Sequence, residues 1–302
     1  MRRRTVVAVA LVVPLAAIAG ASCSSERPND SSTLTVAAAF YPLAEAASRV
    51  GGSSVAVRNL TPPGVEPHDL ELTPASIADI QEADVVLYIG EGFAPAVEQA
   101  VGDASGVVVD VLEGLPLERG PGETLARDPH VWLDPILYRR VVERVGSAFA
   151  DARPQDASVF EANARAFGER LADLDGEYRE GLSTCARRTI VTAHAAFGYL
   201  AARYGLTQLP IAGVSPDTEP SAGRLAELAA LVRREGVTTV FTEELVSPEV
   251  ARTLADETGV TTAVLNPLEG LTTEQVAAGD DYVDVMRSNL AALRQALGCA
   301  AG

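Results

Sequence analysis

From Leu34 onward, short apolar and β-branched runs alternate with longer stretches of helical period. Strand patterns fall at Leu34–Ala39, Ser54–Leu60, Asp84–Gly90 and Gly106–Leu112, and again at Arg188–Ala193, Thr207–Gly213, Thr238–Glu244 and Thr261–Asn266. Helix-period segments separate them, an alternation that argues for parallel sheets in an α/β fold. Between the two sets lies Asp156–Ser183, which contains no proline and places Phe160, Ala164, Phe167, Leu171, Leu174 and Tyr178 at helical spacing, with Pro154 just upstream as a start signal. Gly168 and Gly176 weaken this helix slightly. At about 1.5 Å per residue it spans roughly 40 Å, the width of a domain.

The two halves also resemble each other. "AAFYPLAEAASRVGG" parallels "AAFGYLAARYGL", and "VVDVLEGL" parallels "AVLNPLEGL" at the corresponding strand end. The expected architecture is therefore two related lobes, residues 34–152 and 185–302, each a parallel sheet flanked by helices. One long rigid helix within residues 153–184 joins them and restricts hinge opening.

The first 22 residues change the picture from a fold to an address. Arg2, Arg3 and Arg4 precede an apolar run, and "GASC" puts small residues before Cys23, as in a lipoprotein signal whose cysteine becomes the lipidated N-terminus. A transmembrane anchor is the alternative, but the run is short and ends in small residues. Gly20 stands where Leu or Val is usual, which leaves simple cleavage open. Residues 23–33, rich in Ser, Pro, Asn and Asp, read as a flexible tether. The expected location is the outer face of the cytoplasmic membrane, with Cys23 as the anchor.

Loss of residues 1–22 removes three Arg and no acid, taking the formal charge from −17 to −20. That charge makes nucleic acid and anionic membrane surfaces poor partners and suits a cationic ligand, though it also serves plain solubility. Apart from Cys23 the chain has Cys185 and Cys299. An even pair in an exported protein suggests a disulfide, with two buried thiols as the alternative.

Only three histidines occur in the 302 residues, and none sits in a clear amphipathic helix. His68 follows the turn-rich "TPPGVEP" after the second strand, His130 precedes the Pro135 boundary of the helix leaving the first lobe, and His194 ends the first strand of the second lobe. In α/β lobes ligands bind beyond the carboxyl ends of strands, so His68 and His194 would face each other across an inter-lobe cleft.

The segments "PGVEPHDLELTP", "DPHVWLDP", "VTAHAAFGYLAARYGL" and "TTVFTEELVS…LNPLEGL…DDYVDVMRSNLAAL" resemble, in order and over nearly the whole mature chain, the zinc/manganese solute-binding lipoproteins of bacterial ABC importers. The resemblance implies a monomeric, non-catalytic binding protein that holds one four-coordinate metal between its lobes and delivers it to a membrane permease. Carried over by motif, three ligands are His68, His130 and His194. Imidazoles suit Zn²⁺, whereas Mn²⁺ prefers more oxygen and manganese-type members carry Glu at the position of His194, so zinc is favoured. Many members read "LDP" where this chain has "LNP", which leaves the fourth position among Glu269, Glu243 and Asn266 or a water beside it. Zinc-type members reading "LNPLE" point to Glu269. Trp132 reads as packing beside the site, and Asp128 as either an orienting carboxylate for a His ring or a helix cap. The loop "LERGPGETLARD" lacks the histidines that many zinc members carry there, so any metal-gathering role of that loop is missing.

A zinc hydrolase is the rival from another class, because three His plus water is also a catalytic pattern. The chain has no H-E-x-x-H helix and no evident general base, and a fourth protein ligand would close the site. Adhesion to matrix molecules, known in this family, is neither supported nor excluded by the residues.

Overall fold

The computed structural model describes residues 33–118, 127–216 and 218–300. The signal segment, Cys23 and nearly all of the tether lie outside the described residues, as does most of the loop before His130. The first half runs β1 (Leu34–Ala38), α1 (Tyr41–Gly51), β2 (Val55–Asn59), α2 (Pro74–Glu82), β3 (Val85–Tyr88), α3 (Pro95–Ala100), β4 (Val107–Asp110) and α4 (Pro135–Ala152). The connecting helix α5 (Ala157–Gly181) follows. The second half runs β5 (Thr189–Thr192), α6 (Gly198–Tyr204), β6 (Thr207–Pro210), α7 (Ala222–Arg234), β7 (Thr239–Thr242), α8 (Glu249–Thr258), β8 (Thr261–Val264), α9 (Thr273–Ala278) and α10 (Tyr282–Leu297).

All strand pairs are parallel. The orders are β2-β1-β3-β4 and β6-β5-β7-β8, the same arrangement twice. The paired sequence strings occupy equivalent places in this repeat. Ala39–Phe40 follows β1 as Ala195–Phe197 follows β5, and the two "LEGL" strings follow β4 and β8. The chain passes from β1 to β2 on one side and then returns to β3 on the other, and likewise from β5 to β6 and then β7. The winding direction therefore switches at β1 and β5, where a crevice opens at the carboxyl ends of the sheets.

Each predicted strand is present, but several stop earlier than their apolar patterns. Ile89, Val111, Leu112 and Leu265 lie beyond the last paired residues and remain buried, so burial extends the pattern after the ladder has ended. The connecting helix is 25 residues long, about 38 Å, rather than 28. Its buried face holds Phe160, Ala164, Phe167, Leu171, Leu174 and Tyr178, and it packs against α1 and α4 of one half and α10 of the other. A Cβ on Gly168 would come within 3.1 Å of the Arg139 side chain, so a glycine there lets α4 lie close to α5.

Helix starts follow local chemistry. Pro42, Pro74, Pro95 and Pro135 sit in first turns, where the missing N–H costs nothing. Asp134 caps α4 by accepting from the Ile136 and Leu137 N–H groups.

One apolar core runs through both halves, joining Val36, Val86 and Phe149 to Phe197, Phe241, Leu265 and Tyr282. A smaller cluster (Val191, Leu228, Val232, Val240, Leu254) fills the second half beneath α7 and α8. Residues from Thr33 onward form one compact unit. Polar ties reinforce the join. Arg203 on α6 reaches Asp175 on α5 at 2.6 Å and Asp134 at 3.3 Å, and the Tyr204 hydroxyl donates to Asp175 at 3.0 Å. A disulfide links Cys185 to Cys299, pinning the end of α10 beside the start of the second half.

Candidate metal centre

Four side chains converge where the two halves meet. His68 lies in a 3₁₀ turn, Pro67–Asp69, after β2; His130 immediately precedes the turn Val131–Leu133 that leads into α4. His194 lies two residues past β5, and Glu269 five residues past β8. Each is carried by the connection leaving a carboxyl strand end, as the α/β rule requires. The imidazoles of His130 and His194 and the Glu269 carboxylate are inaccessible, and the His68 ring is 4% exposed.

Glu269 Oε1 is the common neighbour of all three rings. It lies 3.3 Å from His68 Nε2, 3.0 Å from His130 Nε2 and 3.2 Å from His194 Nε2. One donor atom from each of the four residues fits within 4.8 Å of the others. In a tetrahedral zinc shell with bonds of about 2.05 Å, neighbouring ligand atoms are roughly 3.3 Å apart. The three separations are close to that edge length. Glu269 Oε2 is buried with no hydrogen-bond partner among the described residues.

Two rings are oriented from behind by carboxylates. Asp128 Oδ1 is 2.7 Å from His130 Nδ1 and also accepts from the His130 backbone N–H at 2.9 Å. Glu243 places both oxygens on His194 Nδ1, at 2.8 and 2.9 Å. In both cases Nε2 is the nitrogen turned toward Glu269. His68 is held differently: its ring packs on Phe93 at 4.3 Å between centroids, and its backbone N–H donates to Glu66 at 3.1 Å.

Asn266, the third candidate for the fourth position, faces elsewhere. Its Oδ1 accepts from the Leu268 N–H at 2.6 Å and its Nδ2 donates to Glu244. Trp132 packs against Phe40, Phe93 and His130, and its indole N–H also donates to the Pro267 carbonyl at 2.7 Å, a bond across the two halves.

The electrostatics are those of a buried cationic site. Burial pushes the His194 imidazole down, but the Glu243 and Glu269 carboxylates outweigh it and hold the ring well above its ordinary value. His130 is raised in the same way, with Asp128 the leading carboxylate. Burial raises the Glu269 carboxyl, yet His194, His130 and His68 hold it well below the usual range. For Glu66, burial followed by the Glu269 charge outweighs the His68 N–H and the His194 imidazole and pushes it up to about 9. Glu66 and Phe93 were not singled out from sequence. Glu66 stands two residues before His68, where a carboxylate can accept the turn's N–H, and that spacing was the available signal. A cavity of about 380 Å³ reaches this region, and Asp69, Glu219 and Glu249 give its walls acidic groups suited to an approaching cation.

The family described as zinc-uptake complex component A, periplasmic, matches residues 36–296. The high-affinity zinc uptake system protein ZnuA of Bacillus subtilis is 37% identical over 298 residues, covering 94% of this chain and 93% of that protein. The zinc-binding lipoprotein AdcA of Streptococcus pneumoniae is 38% identical over 301 residues, covering 94% of this chain but only 60% of AdcA. Among solved structures, the Zn(II)-bound ZnuA-like domain of that AdcA superposes with a TM-score of 0.76 at 40% identity, covering 88% of this chain and 99% of the domain. The laminin-binding protein of Streptococcus agalactiae, described as bifunctional with adhesin and metal-transporting activity, gives a TM-score of 0.80 at 30% identity over 87% of this chain and 99% of its own.

Proposed function

The chain belongs to the zinc-uptake complex component A family, and from that membership we propose that it captures Zn²⁺ outside the cytoplasmic membrane and hands it to the permease of an ABC importer. One Zn²⁺ binds per chain, with His68, His130, His194 and Glu269 as ligands. The observation that carries this reading is the approach of three imidazole Nε2 atoms to one buried Glu269 oxygen, at separations that suit a tetrahedral shell.

The donor set of three nitrogens and one carboxylate oxygen favours zinc over manganese. Glu243 acts behind His194 rather than on the metal, and Asn266 shapes the loop. A closed shell with a fourth protein ligand leaves no open position for activated water, which separates capture from hydrolysis. The family is one of non-catalytic solute-binding proteins.

We further propose that residues 1–22 are removed, that Cys23 is lipidated and anchors the protein to the outer face of the membrane through the tether of residues 23–33, and that the protein acts as a monomer. The "GASC" sequence and the lipoprotein description of AdcA support the anchor. Residues 34–152 and 185–302 are read as the two lobes, with residues 153–184 as the connection.

Metal analysis of protein purified without added metal, followed by competition between Zn²⁺ and Mn²⁺, tests the reading. One tightly held zinc that manganese does not displace is expected. His194→Ala should abolish tight binding, and Glu269→Ala should weaken zinc more than Glu243→Ala or Asn266→Ala. Unchanged zinc stoichiometry and affinity in His194→Ala would refute the site.

A further inference from the structure

Two buried asparagines sit beside the metal centre without reaching it: Asn266, 5% exposed, and Asn289 on α10, 3% exposed. Asn289 pairs with both backbone polar groups of Asn266. Its Oδ1 accepts from the Asn266 N–H at 2.8 Å, and its Nδ2 donates to the Asn266 carbonyl at 2.7 Å. Asn266 in turn accepts the Leu268 N–H on its own Oδ1, and the Trp132 indole holds the Pro267 carbonyl. All three residues before Glu269 are therefore fixed by buried side-chain hydrogen bonds.

The conformation they enforce is unusual. Leu268 has φ 59°, in the left-handed region that a residue with a Cβ adopts only when its surroundings over-determine it. The internal repeat shows what happens without that constraint. After β4, Asp110 Oδ1 accepts the Leu112 N–H at 3.0 Å, the same turn as Asn266 and Leu268. There the left-handed residue is Gly114 (φ 77°), and Glu113 points outward, 76% exposed and paired with Arg144. Asp110 is still registered in the sheet opposite Tyr88, whereas Asn266 lies past the end of β8 and takes its backbone partners from Asn289. The same string "LEGL" thus exposes its glutamate in one half and buries it among three imidazoles in the other.

We propose that Asn289 is the positioning residue for the fourth zinc ligand: by pairing with both the N–H and the carbonyl of Asn266, it holds the left-handed Leu268 turn that aims Glu269 at the histidines. This rests on the reading of Glu269 as a ligand. It assigns Asn266, which replaces an acid at the family's "LDP" position, to building the turn rather than to binding metal.

The test is a double-mutant cycle on zinc affinity in the intact mature protein, read by competition with a chromophoric chelator. Circular dichroism confirms the fold of each variant. Asn289→Ala removes both hydrogen bonds, and Asn289→Asp keeps the acceptor and removes the donor, so that the second carries the test if the first folds poorly. We expect Asn289→Ala to weaken zinc about ten- to hundredfold at unchanged stoichiometry, as loss of an outer supporting group does. Asn289→Asp should weaken it less, and both variants should alter the visible spectrum of the Co²⁺-loaded site. In a Glu269→Ala background neither substitution should weaken zinc further, because nothing remains to be aimed. An undiminished loss in that background, or wild-type affinity in Asn289→Asp beside a weakened Glu269→Ala, overturns this proposal alone. Wild-type affinity in Glu269→Ala removes the ligand assignment, and this proposal falls with it.

Discussion

Glu243 grips the imidazole of His194 with both carboxylate oxygens, 2.8 and 2.9 Å from Nδ1, and accepts its backbone N–H at 3.3 Å. The carboxylate fixes both the ring plane and the nitrogen that carries the proton, leaving Nε2 as the free donor on the side of Glu269. Glu243→Ala should therefore weaken zinc by about ten- to hundredfold without changing the stoichiometry. Glu243→Gln should fall between the two, because its amide oxygen can still accept from Nδ1. Isothermal titration against a zinc buffer measures this, and affinity equal to wild type in Glu243→Ala would show that the ring needs no such support.

Trp132 is the only tryptophan, and its ring centroid lies 5.1 Å from that of His130. Its emission should respond to the state of that imidazole. Titration with Zn²⁺ is expected to change Trp132 fluorescence saturably, with the end point at one ion per chain. His130→Ala should remove the response at stoichiometric zinc. A signal still rising linearly beyond one equivalent would place the responding ion elsewhere.

The Cys185–Cys299 bridge closes a sequence separation of 114 residues. On the chain-entropy account such a loop contributes about 4–5 kcal/mol by restricting the unfolded chain. A Cys185→Ser/Cys299→Ser double variant should melt well below the wild type while still binding one zinc, since neither sulfur touches the site. Unreduced, denatured mature protein should show no free thiol from this pair, and two titrating thiols would contradict the bridge.

Asp175 gives an acid-sensitive joint. Burial raises its carboxyl, but hydrogen bonds from Arg203, Arg179 and Tyr204 outweigh that and hold it at about 2, against an ordinary value of 3.8. A depressed carboxylate stabilises the folded state above its unfolded pKa and loses that contribution as pH falls toward the folded one. The wild type should thus lose more thermal stability than Asp175→Asn between about pH 4 and pH 2. Parallel melting-temperature profiles for the two proteins would sink the assignment.

The sequence by itself determined the eight strands, their parallel pairing, the connecting helix and the three histidines. Apolar periodicity and breakers are local properties, and three histidines in a chain this long leave few alternatives. Strand ends were blurred because Ile89, Val111 and Leu265 stay buried after pairing stops. Among Glu269, Glu243 and Asn266, three polar residues within 27 positions, the family resemblance points to Glu269, but the physical reason that it is the one among the histidines lies only in the tertiary structure. Which of them reaches the histidines depends on the hand of one backbone turn at Leu268. That turn is held by Asn289 from α10 and by Trp132 from the other half, contacts 23 and 135 residues away along the chain. The twin string at Glu113 carries the same letters and faces solvent, because direction at a strand end is decided by what packs around it.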